Sequence, residues 1–188
     1  MRFMNSDRSR VTLLGTMLLS CITMFGASRL NAQAPEVKPG PEHALFKEWE
    51  GEWDAFIKAG GSESKGAVSS KVALNGLWLL DSLKADLGGM SFEGRGATSY
   101  DAAKKKYVNV WIDSMSTSPM ISEGTYDKAT KTLKFVGTMP LPDGTSMKVS
   151  QTTVTKDADT RLFTLMGAGP DGKEMEMIQV TYKRRAKK

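Results

Sequence analysis

Two closely spaced pairs near the middle of the chain carry most of the side chains that could do chemistry. Trp111 and Asp113 stand two residues apart, as do Glu93 and Arg95, and Glu123 follows a few turns of sequence later. In a strand, side chains two apart project from the same face. If these faces turn toward the inside of one closed sheet, an arginine, two or three carboxylates and an indole line a single cavity, with Trp53 and Met115 adding apolar wall. Buried charges of this kind must be paired, and such a set can anchor the polar end of a small, largely apolar ligand. Asp113 and Glu123 also form the minimum pair for general acid–base work on a small substrate. The plainer alternative is that these groups satisfy one another or face solvent, around a solid structural or envelope-interaction barrel.

Other chemistries are poorly supplied. The chain has one histidine, His43, and one cysteine, Cys21. A zinc site built from Cys and His is therefore excluded, and no cofactor is implied. Ser114, Ser116, Thr117 and Ser118 cluster in a polar loop, but a Ser–His nucleophile lacks its base. His43 falls in a helical setting at the domain edge, which suits a surface or capping role. Eight methionines, from Met90 to Met177, suit either an adaptable cavity or simple core filling. Met175 and Met177 share a face opposite Ile178, Val180 and Tyr182, so unbroken alternation puts one of these sets outside or under the helix.

The pI near 9.3 invites a nucleic-acid reading that the placement of charge opposes. Four arginines against one aspartate put +3 of the chain's +5 in the first 32 residues, leaving +2 for the rest. Five of the last six residues are basic, so residues 33–182 carry −3. A mildly acidic body with a basic tail is not composed to bind nucleic acid.

The N-terminus has the layout of a secretory signal peptide. Arg2, Arg8 and Arg10 precede an uncharged, mostly apolar run from Val11 to Ala27, and Ala32 supplies a small residue for cleavage. The run is too short and too polar for a stable membrane span. Export to the periplasm or beyond is expected, with residues 1–32 removed. Leu18-Leu19-Ser20-Cys21 offers a rival outcome, a lipid anchor on Cys21 that would hold the protein in the envelope.

The elements that must position these residues follow. Residues 33–41 are rich in proline and read as a linker. Pro41 to Trp49 has a helical apolar face in Leu45, Phe46 and Trp49 and is ended by Gly51. Beyond it the period changes to two. About ten short alternating runs are expected: 53–58, 66–74, 77–87, 91–100, 107–113, 120–126, 132–138, 146–155, 160–168 and 174–183. Asn75-Gly76, Pro170-Asp171-Gly172 and two Tyr-Asp phrases at Tyr100 and Tyr126 punctuate them. Brief turns without helical crossovers argue for an antiparallel up-and-down barrel or sandwich. Closure into a barrel removes exposed edges, and Gly94, Gly96, Gly124 and Gly137 inside strands suit the bending it requires. An all-β barrel domain over residues 42–183, with a short N-terminal helix and a basic tail at 184–188, is the expected architecture.

Gly51-Glu52-Trp53, at the junction of helix and first strand, resembles the Gly-x-Trp opening of calycins, in which the tryptophan plugs the closed base of a barrel. Trp111 to Ser116 and Met120 to Asp127, with Pro39 to His43, resemble an uncharacterised family of exported bacterial proteins known only as a domain of unknown function. That resemblance covers roughly residues 39–183. It implies a lipocalin-like barrel and no reaction. A more distant similarity is to haem-binding nitrobindin-type barrels, which carry a histidine ligand on a strand; no strand expected here has one.

Overall fold

Period-two alternation after Gly51 is realised as a sheet curled shut. In the computed structural model, which describes residues 36–186 except 142 and 170, ten antiparallel strands close into one barrel. They are β1 (Gly51–Ala59), β2 (Ser62–Ala73), β3 (Trp78–Asp86), β4 (Ser91–Asp101), β5 (Lys106–Asp113), β6 (Met120–Asp127), β7 (Thr132–Pro140), β8 (Ser146–Asp157), β9 (Thr160–Ala168) and β10 (Glu174–Arg184). Each pairs with its neighbours in sequence, and β10 returns to β1 with Trp53 opposite Arg184. An up-and-down barrel is thus formed, and the sandwich alternative is not. The expected signal peptide, Cys21 and the first part of the linker lie outside the described residues. Among the described residues, no helix is long and apolar enough to cross a membrane.

Turn chemistry explains where the strand bounds differ from expectation. The Ala59-to-Ser62 stretch is a tight hairpin, because Gly60 and Gly61 both take positive φ, the conformation a two-residue turn between twisted strands demands. That pairing lets β2 begin at Ser62, four residues before the sequence pattern becomes apolar. At the other terminus β10 extends to Arg184, and Arg184 and Arg185 of the expected tail are hydrogen-bonded to the barrel.

The residues facing inward follow from burial and register. Trp53, Ala55 and Ile57 of β1 stand level with Tyr182 and Val180 of β10 and Val68 of β2. A β-bulge breaks the alternation that would put either Met175 and Met177 or Ile178, Val180 and Tyr182 outside or under the helix. Register shifts between Glu176 and Ile178, so Met175 opposes Gly167 and Ile178 opposes Leu165, both inner-face positions of β9, with Met175 at the strand end still exposed. An extra residue reverses the parity of everything beyond it.

The interior holds two apolar clusters. One joins Leu45, Phe46 and Trp49 of the helix to Leu79, Tyr107, Leu133 and Phe135. The second joins Trp53, Ala55, Ile57, Val68, Leu83 and Val180. A 3-10 turn (Pro41–His43) leads into α1 (Ala44–Trp49), which lays its apolar face on the first cluster. A six-residue helix has little stability of its own; packing and side-chain tethers from the barrel hold it. Tyr107 donates from its hydroxyl to the Glu42 carbonyl at 2.8 Å, and Trp49 donates from Nε1 to Thr155 Oγ1 at 3.1 Å. His43 has the capping role expected of it, accepting on Nδ1 from the Gly40 amide, but it is buried against Phe46 and Tyr100.

Candidate functional site

The helix-capped end is built around Trp53. Its indole is 1% exposed, and its Nε1 donates to the Trp49 carbonyl at 3.0 Å. Gly51 makes the handover from helix to strand possible in two ways. Its φ of +133° suits glycine, and a Cβ there would stand 2.8 Å from Arg184 Nη1. Arg184 lies over the Trp53 ring at 4.0 Å and donates to the carbonyls of Glu50 and Glu48 at 2.7 Å each. One arginine thereby ties the last strand, the first strand and the helix C-terminus together.

A second arginine lies deeper. Arg161, on the inner face of β9, is 5% exposed, and its guanidinium carbon stands 4.1 Å from the Trp53 ring, 4.9 Å from Trp49 and 5.2 Å from Tyr182. Its Nε has no hydrogen-bond partner among the described residues. Burial pulls its pKa down to about 10, against the opposing pull of the Asp81 and Tyr182 charges. Burial pushes Tyr182 up to about 12. Asp81, on the inner face of β3, is also raised by burial, with a hydrogen bond from Ser70 and the Arg161 charge pulling the other way. The interior polar set continues with Asn109 donating to Thr98 and Gln151 donating to Ser122.

A concavity of about 1440 Å³, open to solvent, lies at this end. Its wall includes Leu45, Trp49, Trp53, Tyr107 and Tyr126, and it reaches Arg161. Lys47, Lys128, Lys131 and Arg185 stand around it alongside Glu42, Glu48, Glu52 and Asp157, so its mouth has mixed charge. Among the described residues, no cluster of three or more His, Cys, Asp or Glu side chains could hold a metal ion.

The structure divides the residues singled out in the sequence. Trp53, Trp111 and Asp113 occupy the inner face. Trp111 packs on Gly94 and Gly96, and its Nε1 donates to Asp113 Oδ2 at 2.9 Å, while the Met115 amide donates to the other carboxylate oxygen. Glu93, Arg95 and Glu123 correct the expectation of one shared cavity. They alternate with buried Gly94, Gly96, Ser122 and Gly124, so they stand outside. Glu93 pairs there with Lys84 and Arg95, and Glu123 with Lys104 and Lys106. Contact with those lysines lowers the Glu123 pKa. Asp113 and Glu123 therefore face opposite sides of the wall and are not assembled as an acid–base pair. Met115 is exposed in the loop after β5.

A family model described as "Protein of unknown function (DUF1579)" matches residues 38–184. The chain belongs to this family. A search of curated proteins found no match. The DUF1579 match begins just before the 3-10 turn and ends at Arg184, nearly the span expected from the Trp111 and Met120 runs. It includes the helix, all ten strands and Arg161.

The residues of this DUF1579 barrel that the sequence reading passed over, Arg161 and Asp81, had a legible signal. Each is the lone charge on an otherwise apolar strand face: Arg161 with Phe163 and Leu165, Asp81 with Leu79 and Leu83. A charge in such a phase is either buried or on an apolar outer face, and both orientations deserve weight when a core is read from alternation.

Proposed function

We propose that this DUF1579 protein is an exported binding module that holds a small, largely apolar molecule at the helix-capped end of its barrel. The observation that carries the reading is the concavity of about 1440 Å³ whose lining brings Trp49, Trp53, Tyr107 and Tyr126 together with a buried, underpartnered guanidinium. Ligand sites are generally concave and mostly apolar, with a few convergent polar groups that fix orientation. The arrangement here has that composition. Flexible methionines at the other end, Met147 and Met177 packed about Gly167, let the interior adjust around an occupant.

Native mass spectrometry of protein purified from its own host tests the reading. The expected spectrum shows the chain with an added small mass that is lost on denaturation. Protein recovered empty, with no uptake of apolar small molecules on titration, would instead establish a solid structural barrel. The same spectrum reports processing. Export with cleavage after Ala32 gives a chain beginning at Gln33, whereas lipidation gives one beginning at a modified Cys21. Recovery of the unprocessed chain from the cytoplasm would remove export from the proposal.

A further inference from the structure

We infer that the ligand is an anion, a carboxylate or similar planar oxyanion on an apolar body, and that Arg161 is its anchor; this rests on the binding reading above. Arginine remains charged under all ordinary conditions, so its burial demands an acceptor. The barrel supplies aromatic contact instead. Trp49, Trp53 and Tyr182 lie within 5.2 Å of the guanidinium carbon. Contact with aromatic rings supplies charge stabilisation but no lone-pair acceptor, so the N–H donors still call for one.

Among the described residues Nε is orphaned, and none of the ion pairs there includes Arg161. Asp81 faces it electrostatically, but Asp81 Oδ1 accepts from the Ser70 hydroxyl and neither hydrogen bond nor ion pair joins Asp81 to Arg161. Buried donors without partners are uncommon in native proteins, and each calls for an explanation. Here the orphan belongs to a wall residue of an accessible concavity. A planar anion accepting two parallel N–H bonds would satisfy it, while the adjoining indoles and Leu45 cover an apolar body. The charges around the mouth are of both signs, so selectivity for an anion must come from Arg161.

Two probes of one shape, 2-naphthoate and the neutral 2-naphthamide, separate this inference from the binding reading. They are titrated into the purified protein and into R161Q and R161K, following tryptophan fluorescence and heat. The carboxylate is expected to bind wild type at least about tenfold more tightly than the amide, the loss typical of one charge-assisted contact. In R161Q the carboxylate falls to the affinity of the amide, and the amide is unaffected. In R161K, which keeps the charge without the fork, the preference is reduced. Equal binding of both probes to wild type overturns the anion inference and leaves the binding reading standing. Failure of both probes to bind overturns the two together. The wild-type comparison decides the matter even if R161Q does not fold.

Discussion

Gly94→Ala should cost this barrel far more than an alanine normally costs in a strand. An added Cβ would stand 2.6 Å from Trp111 Cη2 and closer still to Cζ2, so the indole must retreat by more than about an ångström to reach ordinary contact. Retreat pulls Nε1 from Asp113 Oδ2, now 2.9 Å away. Overpacking of this kind costs about 1–3 kcal/mol, and loss of a bond to a charged acceptor about 1.5 kcal/mol more, discounted because Asp113 is partly exposed. A total of about 2–4 kcal/mol lowers the melting temperature by roughly 5–15 °C in a domain of this size. Urea and thermal unfolding followed by near-ultraviolet circular dichroism measure it. The control is the same substitution in Trp111→Ala, where the added methyl meets no ring and its cost should nearly vanish, a coupling that a double-mutant cycle isolates. A loss under about 0.5 kcal/mol in wild type, or an equal loss in both backgrounds, would refute the placement of Trp111 on the inner wall.

Asp81→Asn should gain stability relative to wild type as pH rises. Burial holds the Asp81 pKa in the folded state above its ordinary 3.8, so the folded protein favours the protonated form. The cost of ionisation is absent below the unfolded pKa and complete above the folded one, and wild type loses ground across that window. Urea midpoints of the two proteins at pH 3.5, 5 and 8 report it; a gap independent of pH would contradict the burial. Gly51→Ala should destabilise by about 1–3 kcal/mol, since it combines a disfavoured φ with a clash on Arg184. Gly61→Ala, at positive φ with open space around it, should cost about 1 kcal/mol. Urea unfolding compares the two, and equal losses would show that the Arg184 contact adds nothing.

The strands were readable because local chemistry and global topology agree. Turn residues at Gly60-Gly61 and Asn75-Gly76 break alternating runs, and each run pairs with its sequence neighbour, which leaves little topological choice. Which face points inward was harder, because alternation is symmetric until closure breaks the symmetry. The glycines that seemed to mark bends in β4 mark the inner face instead, since they make room for Trp111. Glycines that receive an indole fix the inner face of β4, and with it the outer position of Glu93 and Arg95. The bulge near Met177 left no sign in the sequence, because a single extra residue among apolar neighbours looks like a strand apolar on both sides. Arg161 was passed over for a different reason. It belongs to no cluster of charges in the sequence: the buried arginine stands alone on its strand face and meets Trp49, Trp53 and Tyr182 only once the barrel closes.

The state of the Arg161 side chain can be observed directly through the Hε–Nε resonances of the arginines in nitrogen-15-labelled protein, with the Arg161 signal assigned by its loss in R161K. Addition of 2-naphthoate should move that signal and slow its exchange with water, while the outer-face Arg95 signal stays in place. An Arg161 resonance indifferent to saturating 2-naphthoate would contradict the assignment of the buried guanidinium as the ligand's partner.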